Sequence, residues 1–154
     1  MFLSCFFRKH PASFEISSPK IVITKSMTEN FKQLKEHDIS YEKLTTGYIC
    51  FNGKVFNDKL DMVIGLHYKL NLLKHIELFR PKDYYNENYD IDASFLEIHE
   101  CMKEIYGKPT FQHIKKTDKY GNGSSAYWNF NNLKIKHSIW EHFGPTESLT
   151  IQFI

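Results

Sequence analysis

The sequence predicts an α+β fold, a mostly antiparallel sheet with two helices against one of its faces. Three observations carry this. Two segments place apolar residues at helical spacing behind capping-box signatures. Most of the remainder alternates apolar with polar residues, the period of a strand buried on one side. The order helix, then strand meander, also occurs twice, over about residues 14–81 and 90–154. With 154 residues, 42% of them hydrophobic and 16% aromatic, the chain can build a sizeable core, and 1–154 is expected to form a single domain.

From Phe14 to Thr24 the chain reads as strand on both sides of Pro19. Phe14 and Ile16 share one parity, Ile21 and Ile23 the other, and a proline in mid-strand marks an edge or a break. Ser26 with Glu29 forms a capping box, and Met27, Phe31 and Leu34 recur on one side, which predicts a helix over about 27–37. Tyr48 to Phe51 then reads as strand, with Asn52-Gly53 expected to turn it into a hairpin. Met62, Ile64, Leu66 and Tyr68 alternate with Val63, Gly65, His67 and Lys69. After a turn at 70–72, Ile76, Leu78 and Arg80 alternate with His75, Glu77 and Phe79, until Pro81 stops the strand.

"KDYYNENYDID" reads as an exposed connection. A second helix is expected over about 93–106, capped by Asp92 or Ser94, with Phe95, Ile98, Met102 and Ile105 as its apolar stripe and Gly107 as its stop. Phe111 to Lys116 is a strand candidate, and "TDKYGNGSS" a glycine-bearing loop. Ala126, Trp128 and Phe130 alternate, Asn131-Asn132 turn the chain, and Leu133, Ile135, His137 and Ile139 continue beyond. Leu149, Ile151 and Phe153 make a final strand. The stretches "YICFNGKV" (48–55) and "YWNFNNLKI" (127–135) share Tyr-x-x-Phe-Asn and read as one hairpin used in both halves. A period of that length is too long for a solenoid and suits a pseudo-duplicated domain.

The formal net charge of +2 gives no argument for a polyanionic partner. Cys5, Cys50 and Cys101 are odd in number and widely spaced, which speaks against a disulfide framework and for a reducing compartment. Cys101 falls on a helix face and reads as a small core residue. The apolar start "MFLSCFFRKH" lacks a leading basic region, and no apolar run is long enough for a membrane helix, so a cytoplasmic protein is expected.

No catalytic set emerges. His99-Glu100 lacks the second histidine of a zinc-protease helix, since position 103 is Lys, and reads as part of a solvated face with Glu97 and Glu104. His67 and His75 can be neighbours across the 70–72 turn, but two imidazoles do not make a metal site. No metal and no cofactor are therefore expected. "KYGNGSS" does not lead from a strand into a helix and lacks the context of a phosphate loop. Two alternatives remain. One is a small enzyme with a dispersed site drawn from His75, His137, His142 and an acid. The other is a weak nucleic-acid binder using Lys115, Lys116, Lys119, Lys134 and Lys136 beside Tyr120, Tyr127, Trp128 and Trp140. Against the latter, Lys134 and Lys136 alternate with core-type Leu133 and Ile135 and read as the solvated side of a strand.

The segment 83–104 is acidic, carrying Asp83, Glu87, Asp90, Asp92, Glu97, Glu100 and Glu104 against Lys103. Tyrosines among acids on an exposed connection suit a protein-binding surface. Tyr84, Tyr85, Glu87, Tyr89 and Asp90, together with Trp140, are the partner-binding candidates. "LKHIELFRP", a helix ending in "IYGKP", and "IKHSIWEHFG" followed by "LTIQF" together look like small bacterial cytosolic proteins, some of which serve as immunity partners in polymorphic-toxin systems. The two-fold helix-plus-meander layout also resembles the duplicated architecture of the β-lactamase-inhibitor proteins. The resemblance implies a non-enzymatic module that binds and occludes a cognate toxin or enzyme; separately, unpaired sheet edges offer a route to a homodimer.

Overall fold

The computed structural model describes residues 11–154. The readings of Met1 to His10, Cys5 among them, lie outside the described residues. Ten strands there form one sheet: β1 (Phe14–Ser18), β2 (Ile21–Ile23), β3 (Glu42–Thr45), β4 (Tyr48–Val55), β5 (Leu60–Lys69), β6 (Leu72–Phe79), β7 (Phe111–His113), β8 (Ser125–Asn129), β9 (Leu133–Glu141) and β10 (Pro145–Phe153). Helix α1 (Met27–Glu36) precedes β3 and helix α2 (Ile91–Tyr106) precedes β7. Every pairing is antiparallel, and the order is β2-β1-β4-β5-β6-β10-β9-β8-β7, with β3 paired to β4 outside this path. The fold is α+β, dominated by the sheet.

The parity switch across Pro19 is the signature of a hairpin. Ile16 faces Ile21 and Phe14 faces Ile23, so all four side chains reach the same buried face. Helix α1 starts where expected, with Glu29 N donating to Ser26 Oγ at 3.2 Å. Only half of the box forms, because Ser26 N donates to Thr24 Oγ1 instead. Helix α2 starts two residues earlier than expected. Its cap is Asp90, whose carboxylate accepts from Ala93 N, while Ser94 is fully buried inside the helix. The apolar stripe shifts accordingly. Phe95, Ile98, Met102 and Tyr106 are buried with Cys101 and His99, whereas Ile105 is exposed. His99, assigned from sequence to a solvated face, is a core residue.

The shared Phe-Asn motif does not mark the same turn twice. Asn52-Gly53 is no turn; both residues lie inside β4, facing Val63 and Met62 of β5. Gly53 is there for space, since a Cβ would stand 2.9 Å from Ile64 Cδ1 and 3.2 Å from Ile16 Cγ2. The actual β4–β5 turn runs through Phe56-Asn57-Asp58, all at positive φ. The Asn131-Asn132 turn does join β8 to β9. Phe56-Asn57 and Phe130-Asn131 each place a buried phenylalanine at a strand-to-strand turn. Strand β3 was not expected from sequence, and all four of its residues are exposed.

One face of the sheet is dry. Ile49, Phe51, Ile64, Leu66, Ile76, Leu78, Ile135, Leu149 and Ile151 lie in register on it and are buried. Both helices cover this face, α2 through Phe95 against His137 and α1 through Phe31 against Tyr68. No helix among the described residues is long and apolar enough to cross a membrane. Trp128, 1% exposed, donates from Nε1 to Gly107 O at 2.8 Å and thereby ties β8 to the end of α2. Trp140, 45% exposed, lies on the other face. Trp128→Ala should cost about 3–5 kcal/mol in urea unfolding, and Trp140→Ala within about 0.5 kcal/mol of wild type. Equal losses for the two would contradict the placement of Trp128 in the core and Trp140 outside it.

Candidate functional site

The face of the sheet that no described helix covers gathers the side chains that alternate with the core. Across the strands one row runs Glu42, Cys50, Gly65, Glu77, Thr150, Lys136, Tyr127, Phe111. The adjacent row runs Tyr48, His67, His75, Gln152, Lys134, Asn129. Lys134 and Lys136 are exposed, as a solvated strand side requires. At the end of this face stands Trp140, stacked on His142 at 4.8 Å between ring centroids, with Phe143 beyond it, 98% exposed. The tip that carries Phe143 is held by two hydrogen bonds, His142 N to Gly144 O and Gly144 N to Glu141 Oε1, both 2.9 Å.

At the centre of the face three rings stack: Tyr48 on His67 at 4.0 Å and His67 on His75 at 4.1 Å, with interplanar angles of 16° and 17°. Two local features build this stack. A Cβ at Gly65 would lie 2.8 Å from Tyr48 Cε2 and Oη, so the glycine makes room for the phenol ring. A bulge in β6 then sets the histidine pair. From the turn outward, Lys69 faces Leu72 and Tyr68 faces Leu73, but His67 faces His75 because Lys74 is skipped. In a regular ladder without the bulge His67 would stand opposite Lys74. Burial pushes the Tyr48 hydroxyl pKa upward, and the charges of Glu77 and Cys50 add to the effect.

Glu77 projects two residues beyond His75 on the same face. Its Oε1 is 3.4 Å from His75 Nε2 and its Oε2 is 3.2 Å from His67 Nε2. Only the His75 contact has hydrogen-bond geometry, and His67 Nε2 is enclosed without a hydrogen-bond partner. Sequence reasoning anticipated the His67–His75 neighbourhood but missed Glu77. The signal was present: the apolar parity jumps from Leu73 to Ile76, which marks the bulge and aligns both histidines with Glu77.

The tyrosine segment is a folded corner. Tyr84, Tyr85 and Tyr89 meet edge to face at 5.0–6.3 Å, just after a short 3-10 turn at Lys82–Tyr84. The Arg80 guanidinium sits 4.1 Å from the Tyr84 centroid, and Arg80 N donates to Tyr85 Oη. Asp90 is occupied as the cap of α2, while Glu87 is exposed. The structure thus brings the three tyrosines together, with Trp140 stacked separately on His142.

Beneath α2 lies a buried polar chain. Arg80 donates from Nε to Ser94 Oγ (3.0 Å), from Nη2 to Ser94 O (3.2 Å), and pairs through Nη1 with Glu97 (2.7 Å). Ser94 Oγ donates to Glu147 Oε1 at 2.6 Å, and Glu147 Oε2 meets His137 Nε2 at 2.7 Å. The order is serine, carboxylate, imidazole. A nucleophile needs the imidazole next to the hydroxyl, so this chain is no hydrolase triad. The histidines named for a dispersed site do not converge. His137 is on the buried face, whereas His75 is on the open one.

Burial holds the His137 pKa below its usual range, against the pull of Glu147, and burial lowers His99 likewise. His137 Nδ1 has no hydrogen-bond partner, and Phe95 stacks on the ring at 3.9 Å, so a proton there would lack an acceptor. A histidine kept neutral on folding binds fewer protons than in the unfolded chain. Its contribution is therefore complete above the unfolded pKa of about 6.5 and is lost as pH falls below that value, by about 1.4 kcal/mol per pH unit for each such group. Unfolding free energies measured from pH 8 to pH 5 should stay level and then drop. His137→Gln should start lower and fall less steeply. The same slope in both proteins would exclude His137 as the source.

No protein-family model, curated protein or solved structure matches this chain.

Proposed function

We propose that this chain is a protein-binding module that neutralises a partner, such as a toxin or another enzyme, by covering its working surface. The observation that carries the proposal is the one-sided sheet. Both helices lie on one face, and the other presents Tyr127, Phe111 and Trp140 with Phe143 at its end. Fixed aromatic side chains supply contact area at low cost in conformational freedom and dominate protein interfaces. The tip bearing Phe143 is braced by its own hydrogen bonds, so binding need not order it first. The immunity-type sequence resemblance fits this mode of action. The 83–92 segment offers a second contact region through Tyr85 and Glu87.

Affinity capture from the native host with the folded chain should recover a protein whose activity the chain inhibits. The double variant Trp140→Asp, Phe143→Asp should weaken that binding about 30-fold or more while keeping the wild-type melting temperature. Tyr85→Ala with Glu87→Lys reports on the second region in the same assay. A partner held equally well by both double variants would refute occlusion by these surfaces, and failure to capture any protein would refute the binding role.

A further inference from the structure

The geometry points to a divalent-cation site on the open face, formed by His67, His75 and Glu77, with Zn²⁺ as the ion its donors suit. The candidate ligand atoms all lie within 4.8 Å of one another. Two imidazole nitrogens and one carboxylate oxygen are the donors of borderline divalent metals, and zinc sites with three protein ligands leave a position for water or an incoming group. A second observation is independent of this proximity. His67 Nε2 is enclosed, carries no hydrogen bond, and stands 3.2 Å from Glu77 Oε2 outside hydrogen-bond geometry. In the tautomer that carries its proton on Nδ1, this ring nitrogen offers its lone pair to an ion. An ion seated between the two histidines and the carboxylate would satisfy it.

The backbone supports the placement. The Lys74 bulge brings His67 opposite His75, and the antiparallel pairing of β5 with β6 fixes both Cα positions. What must move is small. The two imidazoles are stacked 17° from parallel, so their lone pairs run alongside each other. Converging on one ion requires the rings to tilt apart at the stack, and the disturbance passes to Tyr48, which lies against His67. Cys50 stands in the Glu77 row with Gly65 between and takes no part in the donor set. The ion's free positions would face outward, on the surface proposed above to meet a partner. The isolated chain suffices to test for metal, so the two proposals can fail separately.

Titration of the metal-free full chain with Zn²⁺ at pH 7.5 should show one ion per chain. Co²⁺ in its place should give the absorption bands of a low-symmetry site with nitrogen and oxygen ligands. His75→Ala and Glu77→Gln should each weaken uptake at least tenfold. Glu77→Gln nearly conserves shape, and its unchanged melting temperature in chelator would show that the fold is intact. His113→Ala, an exposed histidine outside the cluster, should bind as wild type. Imidazole and Tyr48 ring resonances should shift together on zinc addition. No stoichiometric uptake, or uptake insensitive to both His75→Ala and Glu77→Gln, would overturn the assignment.

Discussion

The pairing of β6 with β10 is the constraint on which the rest of the structure depends. Each half of the chain makes its own meander, and these two strands are where the meanders become one sheet. Ile76 faces Ile151 and Leu78 faces Leu149 across the seam. That register aligns the apolar rows of both halves on one side, so α1 and α2 share a core. A slip of one residue would turn every core side chain of one half toward water. The end of the seam is pinned by polar groups. Arg80 follows β6, Glu147 belongs to β10, and Ser94 of α2 bonds to both. A buried chain of charge-assisted hydrogen bonds has narrow geometric tolerance. It fixes how α2 lies over the seam as well as how the strands meet.

The open face is built by departures from regularity. Regular strands would give His67 a lysine neighbour and leave no room for the Tyr48 ring. The bulge at Lys74 and the missing side chain at Gly65 remove both obstacles. They produce an aromatic-imidazole stack braced by a carboxylate at the middle of the open face. On the core face Gly53 plays a comparable part, leaving room for Ile64 and Ile16.

Much of the architecture was legible in the sequence because alternation and capping are local signals. The β5, β6, β8, β9 and β10 patterns and the start of α1 follow from residues within a few positions of each other. The errors have a common cause, which is that a distant partner outweighed the local preference. Asn52-Gly53 has the composition of a turn, but Ile16, far along the chain, required the glycine inside a strand. Ser94 has the composition of a cap, but Arg80 and Glu147 claim its hydroxyl. His99 neighbours charged residues on its helix, yet it turns inward to Gln112 and Trp128. Strand β3 is exposed throughout and carries no burial pattern to read. Of the open-face cluster, the histidine pair follows from the turn alone, whereas Glu77 joins it only once the parity jump from Leu73 to Ile76 is read as a bulge.

The seam also orders events in time. The strand that completes the sheet, β10, is the tenth in chain order, while its neighbour β6 is the sixth. When the chain is made from its start, β6 has one edge without a partner until α2, β7, β8, β9 and then β10 have been synthesised. Backbone donors and acceptors along Leu72–Phe79 then wait on a strand whose other side is already paired. Such an edge is a template for any passing strand, including the same strand of another nascent copy. The penalty for a central join made late is a vulnerable interval during synthesis, one that a fold of independently closed halves would avoid.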